Sequence, residues 1–557
     1  MRLLPVPSYA GKGTACRVVN ASDCGMTLFR YLAAFSCLSS LSALAAADPC
    51  SAFKKTTVDA AAIGLPTRGG VVTSAKRVER KGDSFCKVLG KILPVDATAD
   101  PIRYEVNLPE HWNEKAVQFG GGGFDGYLHQ SDGLGTTVVG EKNKPGPLAE
   151  GYATLGSDSG HHHRYFFLPD ALNAVNAKFA LNDEQRKNFA SDGLKKTHDV
   201  AVALMKVRYG RAPRRMYFVG GSTGGREAMM VVDRWPTDYD GVLAAYAAWN
   251  QIESDLQYIR VSQAMYRKNG WLPSSRTKLL RDAVMNACDA KDGLKDGIIS
   301  DPMGCHFAAA SLQCKDGADH KGCLSDGQEA TVAAFVTPTM SDFHVEHGMQ
   351  SEPGFNMTRG ADLTGNMGAL HHAFRPPIVL LNSFYSLVAD GVLRFFLTKD
   401  KHFNTFTFDW KTGGGRVPAI QQQSAEDDAS LADLTPFQQH GGKLLLVHGT
   451  ADATIPTDAS VLLYMRIVQA MGQAKADEFL RLYLIPGFGH GRGVFNAGFD
   501  TVGVLDAWAD GGKTPMELRV VDQNKGAARS MPMCAWPGWP QFVGGEFKCF
   551  EATGATP

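Results

Sequence analysis

The sequence predicts an α/β fold: a mostly parallel sheet with helices on both faces, interrupted by a large insertion. Three observations lead there. Short apolar runs alternate with helical spacing from Ile102 to about Trp249, and that rhythm resumes after about Asp433. Between them, Gly220-Gly221-Ser222-Thr223-Gly224 falls where an apolar run passes into a helical one.

The elements follow in chain order. Residues 116–119 read as a buried strand that runs into Gly120-Gly121-Gly122-Gly123, and residues 152–156 read as another. Residues 197–209 carry Val200, Leu204 and Val207 at helical spacing and stop at Gly210. Residues 216–219 form a short apolar strand, and residues 226–232 a helix after the glycine turn. From Asn250 to about Asp433 the chain is irregular, rich in Gly and Asp, with clustered aromatics. Buried strands at 443–447 and 479–485 then complete the pattern. The expected organisation is a core of residues 48–249 and 434–557, with a lid-like insertion at 250–433.

At 557 residues the chain is too long for one small core. Hydrophobic residues make up 44%, charged residues 20%, and the net charge is zero, so nothing in the charge argues for nucleic acid or an anionic membrane. Residues 1–47 read as an export signal: an apolar, small-residue stretch behind Arg30, with Ala43-Leu44-Ala45 or Ala45-Ala46-Ala47 for cleavage. Met26 is a candidate start. No apolar run of membrane-spanning length follows Ala47, so a soluble, secreted or periplasmic protein is expected. Of 11 cysteines, Cys16, Cys24 and Cys37 fall in the presumed leader, which leaves eight. They fall in near couples, Cys50 with Cys86, Cys288 with Cys305, Cys314 with Cys323, and Cys534 with Cys549, although eight cysteines allow 105 connectivities. An oxidising compartment is the firmer reading.

A Gly-x-Ser-x-Gly between strand and helix is a nucleophile elbow, in which the glycines leave room for a sharp turn that exposes the serine hydroxyl. Such a serine needs a base, and the base needs a carboxylate to fix its tautomer. Asp452 follows the strand at 443–447, and His490 follows the strand at 479–485, in the order Ser, Asp, His of α/β-hydrolases. A helix cap for Asp452 and a surface role for His490 are the plainer alternatives. Rival histidines are His448, His198 and the His161-His162-His163 trio, which reads as loop structure. Backbone N–H groups for an oxyanion hole are expected from Thr223 and from the Gly120–123 run. In the insertion, Asp289, Asp292 and Asp296 alternate with glycines in a loop able to wrap oxygens around a hard cation. Two Asp-Gly turns are the plainer reading of that loop.

With these residues in hand, the chain resembles the tannase and feruloyl esterase family, which includes a bacterial mono(hydroxyethyl) terephthalate hydrolase. The resemblance rests on Trp112-Asn113, Gly156-Ser157-Asp158-Ser159-Gly160-His161, Tyr209-Gly210-Arg211-Ala212, Tyr217 through Glu227, and Tyr239-Asp240-Gly241. It implies an α/β-hydrolase core with an inserted lid, and hydrolysis of a small aromatic ester through a Ser222, His490, Asp452 triad. It also implies oxyanion amides at Gly123 and Thr223. A structural Ca2+ in the lid would be held by Asp289, Asp292 and Asp296 side chains and the Leu294 and Ile298 carbonyls. The four cysteine couples become the implied disulfides.

One departure stands out. The family carries a cysteine before the nucleophile and another after the catalytic histidine, joined in a disulfide; here those places are Gly221 and Gly491. A working triad with a looser tether is expected. Phe374, Phe384, Tyr385, Phe395 and Phe396 are candidates for an aromatic slot or for the insertion's own core. Galloyl, feruloyl and terephthalate half-esters all fit this reading. The rival readings are a lipase, polyester depolymerase or peptidase on the same scaffold, and a calcium-dependent binding protein that has lost the chemistry.

Overall fold

A strand covered on both faces has no solvent side to mark with polar residues, so it is apolar along its whole length. In a computed structural model that describes residues 49–80, 83–128, 139–162, 175–516 and 518–550, such strands form the centre of the molecule. The export signal expected in residues 1–47 lies outside the described residues, as does His163.

The main sheet has ten strands. They are β1 (Thr57–Val58), β2 (Gly70–Arg80), β3 (Asp83–Ile92), β4 (Ile102–Pro109), β5 (Lys115–Phe119), β6 (Ala153–Ser157), β7 (Arg215–Gly221) and β8 (Gly241–Ala245), joined after the insertion by β11 (Lys443–Gly449) and β12 (Leu480–Ile485). Their order is β1-β2-β3-β4-β6-β5-β7-β8-β11-β12. Pairing is parallel from β6 through β12 and antiparallel from β1 to β6. Every residue of β5, β6 and β8 is buried, and in β7 and β11 every residue after the first. The parallel strands point their carboxyl ends toward one rim, where the loops after β5, β7, β11 and β12 gather.

The predicted strands all form, with bounds shifted by a residue or two. The helix expected at 197–209 spans Gly193–Tyr209 and ends at Gly210, whose φ of +76° is the left-handed cap glycine favours. The antiparallel extension β1–β4 was not foreseen.

Between β8 and β11 lies the insertion. It opens with a helix, Gln251–Met265, that packs against the helices Asp326–Val336 and Phe384–Gly391. It also carries a two-stranded ribbon, β9 (Thr339–Met340) and β10 (Ser351–Glu352). Its core is aromatic: Tyr385 meets Tyr258, Phe335 and Phe355 at ring distances of 5.6, 5.1 and 5.7 Å. Asp48–Pro557 holds together as one unit, and Tyr258, Asn366 and Tyr385 of the insertion bond the loop after β11 at the sheet's rim. The chain ends in a three-stranded antiparallel sheet of β13 (Ala497–Gly498), β14 (Leu518–Asp522) and β15 (Ser530–Met533), then a hairpin of β16 (Trp539–Val543) and β17 (Glu546–Phe550).

Disulfides join Cys50–Cys86, Cys288–Cys305, Cys314–Cys323 and Cys534–Cys549, the four implied couples. Among the described residues no helix is long and apolar enough to cross a membrane.

Candidate active site

The turn after β7 is shaped by what glycine lacks. A Cβ on Gly220 would lie 2.2 Å from the Gly224 carbonyl oxygen, and one on Gly224 would lie 2.7 Å from that of Gly121. Only hydrogen at both places lets β7 turn into the helix Thr223–Arg234 while the glycine run after β5 lies against it. The residue at the apex, Ser222, is left at φ +62° and ψ −125°, a conformation that costs of order 1–3 kcal/mol for a side-chain-bearing residue. Strain at this one residue is the signature of an elbow that lifts a hydroxyl out of the chain.

Ser222, His490 and Asp452 converge from three separate loops. Ser222 Oγ lies 2.9 Å from His490 Nε2, and His490 Nδ1 lies 2.9 Å from Asp452 Oδ2. Since the carboxylate only accepts, the imidazole carries its proton on Nδ1 and presents a lone pair to the serine hydroxyl. The other Asp452 oxygen accepts from the Thr454 and Ile455 amides at 2.7 and 3.0 Å. Burial of Asp452 is complete and alone would raise its carboxyl. The charge and hydrogen bonds of His490 and His448 outweigh it and hold the group well below the usual carboxylate range.

The rival histidines are occupied elsewhere. His448 is buried, with Nδ1 at 2.8 Å from Ser460 Oγ and Nε2 at 3.2 Å from the Ile455 carbonyl, and it backs Asp452 at 3.4 Å. His161 stacks on Phe179 at 3.6 Å and bonds the Phe124 carbonyl, while His198 pairs with Asp199.

Gly123 and Thr223 face each other beside Ser222. The Thr223 hydroxyl donates to the Gly123 carbonyl at 2.7 Å, which ties the two loops together. Gly123 adopts φ +60°. Among the described residues the Gly123 and Thr223 amides donate to no protein acceptor. Beneath the glycine run sit residues the sequence did not single out. Glu227 Oε2 accepts the Gly121 amide at 2.8 Å, and Asp125 Oδ1 accepts the Gly122 amide at 2.8 Å. Burial first, and the neighbouring Asp125 charge second, push the Glu227 carboxyl well up.

A narrow cavity of about 50 Å³ opens at Ser222, between Gly123, Thr223 and a wall of Phe124, Phe189, Tyr258 and Phe384. Of the aromatics singled out, Phe384 lines it and Phe396 stacks behind Phe124 at 5.6 Å. Tyr385 belongs to the insertion's core, Phe395 lies against Arg394, and Phe374 sits beside His372. The insertion also grips the acid-bearing loop. Tyr258, Tyr385 and Asn366 donate to the carbonyls of Thr454, Ala453 and Ala453 at 2.6, 2.5 and 2.8 Å. Tyr246, at φ +36°, packs its ring 4.6 Å from the His490 ring. Sequence spacing carries no signal for these contacts, because each joins segments far apart in the chain.

In the acidic loop, Asp289 accepts the Asp296 and Gly297 amides, Asp292 those of Leu294 and Ser300, and Asp296 that of Ile298. Among the described residues no set of three or more His, Cys, Asp or Glu side chains converges as a metal-binding group. The donor chemistry nonetheless fits a hard cation, being all oxygen, with Asp289 and Asp292 buried. Burial first, then the neighbouring carboxylates, raise Asp292 and Asp296. Cys288–Cys305 closes the loop, and Ile298 packs under the histidine loop, where a Cβ on Gly487 would meet it at 3.0 Å.

The chain matches the tannase and feruloyl esterase family over residues 86–553. The chain belongs to the tannase and feruloyl esterase family. It is thereby a carboxylic ester hydrolase by membership. An uncharacterized esterase of Agrobacterium fabrum is similar to it, 33% identical over 90% of this chain and 91% of its own. The mono(2-hydroxyethyl) terephthalate hydrolase of Piscinibacter sakaiensis is 27% identical over 82% of each chain. Among solved structures, feruloyl esterase B from Aspergillus oryzae superposes with a TM-score of 0.71 at 21% identity, over 90% of this chain and 99% of that one. The last likeness speaks to the fold, an α/β-hydrolase core with a lid.

Proposed function

We propose that this member of the tannase and feruloyl esterase family is an exported serine esterase that cleaves esters of aromatic carboxylic acids. The observation that carries the reading is the unbroken relay from Ser222 Oγ to His490 to Asp452, each step 2.9 Å. In it, Ser222 attacks the ester carbonyl while His490 Nε2 takes the hydroxyl proton. Asp452 steadies the imidazolium, and the Gly123 and Thr223 amides hold the oxyanion. His490 returns the proton to the leaving alcohol, and water repeats the sequence to release the acid. The aromatic wall beside Ser222 supports an aryl acyl group, and the family relatives named for feruloyl and terephthalate esters point the same way. Eight cysteines joined in four disulfides support an oxidising, extracytoplasmic setting.

Calcium belongs to the same proposal as a structural ion. Asp289, Asp292 and Asp296 side chains, with the Leu294 and Ile298 carbonyls, would hold it. When bound, it supplies positive charge that offsets three crowded carboxylates and stiffens the loop beneath His490. No step of the reaction passes through it.

The deciding experiment is hydrolysis of methyl gallate, methyl ferulate and mono(hydroxyethyl) terephthalate by the wild-type and Ser222→Ala chains. The wild type is expected to turn over at least one of them, and Ser222→Ala to lose about 10⁴–10⁶ in kcat. Equal rates in the two proteins would overturn the reading in favour of a binding protein.

A further inference from the structure

A histidine ring turns about two single bonds, and a proton relay works only while the imidazole aims one nitrogen at each partner. The local chain does little to hold His490 in that orientation. It lies between Gly489 and Gly491, residues with the widest backbone freedom, and its side chain is 24% exposed.

The ring that packs against it comes from Tyr246, the first residue beyond β8. The Tyr246 and His490 ring centroids lie 4.6 Å apart, with the planes inclined at 54°. The same tyrosine ring lies 6.1 Å from Phe488, on the histidine loop, and 6.4 Å from His448, which backs Asp452.

The backbone around Tyr246 joins the other two loops of the relay. The Ser222 amide donates to the Ala245 carbonyl at 3.0 Å, and the Ala248 amide donates to the Ser222 carbonyl at 3.2 Å. The nucleophile is therefore bonded on both sides of Tyr246. The Tyr246 amide donates to the Val447 carbonyl at 2.6 Å, near the end of the strand that leads to Asp452.

Tyr246 holds this place at a cost. Its φ of +36° is an outlier for a bulky residue and costs of order 1–3 kcal/mol, a strain that persists only where the surroundings fix it. The side chain is 1% exposed, and its hydroxyl finds no hydrogen-bond partner among the described residues. No bond of the hydroxyl accounts for the strained backbone. What the strain secures is the ring beside the imidazole.

We propose that Tyr246 is a positioning residue for His490, its ring holding the imidazole with Nε2 toward Ser222 and Nδ1 toward Asp452. The proposal rests on the esterase reading of those three residues. It assigns the effect to the flat ring and none of it to the hydroxyl.

Steady-state turnover of a chromogenic acetate ester by the full chain tests it, in wild type, Tyr246→Phe, Tyr246→Leu and Tyr246→Met. Phenylalanine keeps the ring, whereas leucine and methionine fill the space with chains that are not flat. Tyr246→Phe should stay within about twofold of the wild-type kcat. Tyr246→Leu and Tyr246→Met should each lose about 10–100-fold in kcat, with KM changed by less than about threefold. In a His490→Ala chain the imidazole is gone, so adding Tyr246→Leu should lower the residual rate by less than about twofold. Melting curves identify which chains are folded at the assay temperature, and either Tyr246→Leu or Tyr246→Met suffices. A kcat near wild type in the folded variant that lacks the ring, a loss in Tyr246→Phe as large as in that variant, or a rise in KM alone overturns the proposal. So does an undiminished further loss in the His490→Ala chain. Wild-type turnover by Ser222→Ala would overturn the esterase reading instead, so the two can fail separately.

Discussion

Two regions of this molecule bury carboxyl groups completely and reach opposite charge states. At the rim, Asp452 has no exposed surface, yet its carboxylate faces His490 and His448 and is held ionised, below the usual range. At the seam where the insertion's first helix meets its ribbon, Glu352 and Glu253 are equally buried, and Asp428 lies against them. There the neighbours are Asn250, Ser254, Ser341, Ser424 and further acids. Burial pushes Glu253 up to about 7 and both Glu352 and Asp428 up to about 8. The Arg226 guanidinium, which reaches the Asp427 carbonyl beside Asp428, spends its other donors on the carbonyls of Phe189 and Ala190. Burial sets the cost of a charge, and the partner decides whether the charge exists.

The largest expected effect breaks the comparison on the ionised side. Asp452→Asn keeps the shape and removes the charge, and its amide favours the wrong imidazole tautomer at His490. The expectation is a fall in kcat of about 10⁴ with KM little changed, read from steady-state kinetics on whichever aryl ester is turned over. A loss below about tenfold would mean that Asp452 only caps its loop, the alternative the sequence leaves open.

The next effect comes from the seam. Carboxyls raised in the folded state bind protons that the unfolded chain has lost, so stability declines as pH rises from the ordinary carboxyl pKa near 4.5 and levels off above about 8. Glu352→Gln supplies a permanently neutral group of the same shape beside Asn250. It should raise stability by about 1–3 kcal/mol at pH 8.5 and leave it nearly unchanged at pH 4.5, measured by denaturant melts at the two pH values. A loss at pH 8.5 would show that the seam needs the negative charge, as a bound cation would require.

The acidic loop sharpens the contrast, because it crowds carboxylates as the seam does but in oxygen-rich turns open to a cation. Chelation of calcium should lower Tm by a few degrees, and added calcium should restore it, through about 1–3 kcal/mol of binding linkage. Glu352→Gln should respond to chelator as the wild type does. If the seam variant alone became insensitive to chelator, the ion would belong to the seam.

These differences also mark what the sequence could reveal. Ser222, Asp452 and His490 were legible because each directly follows a core strand, and a parallel sheet delivers the ends of its strands to one rim. The glycine turns were legible because a missing side chain is itself a signal. The seam was not, since Glu253 and Glu352 meet only after a hundred residues of insertion fold back. Glu227 under the glycine run looked like an ordinary helix former. The strands β2 and β3 were not legible, because exposed charged residues on β2, such as Lys76, Arg77 and Glu79, break the alternation that marks a half-buried strand. Nor does spacing show that Tyr258, Tyr385 and Asn366 would hold the Asp452 loop from the insertion's side.

The smallest effect concerns the missing tether. A Cβ at Gly491 would meet only the Tyr246 hydroxyl, at 3.7 Å, so space for a side chain is present. The backbone is the obstacle: Gly491 sits at φ +77°, where an L residue costs about 1–2 kcal/mol. Gly491→Cys alone should therefore lower stability by about that amount. Paired with Gly221→Cys and oxidised, the bridge would constrain the unfolded chain by about 2–4 kcal/mol, which leaves a net gain of only about 0–3 kcal/mol. Comparing Tm of the double variant with the bond formed and with that bond selectively reduced separates the two terms. A single Gly491→Cys chain as stable as wild type would show that the loop relaxes freely. In that case the histidine owes its position to Asp452, Tyr246 and the packing of Ile298 rather than to its own backbone.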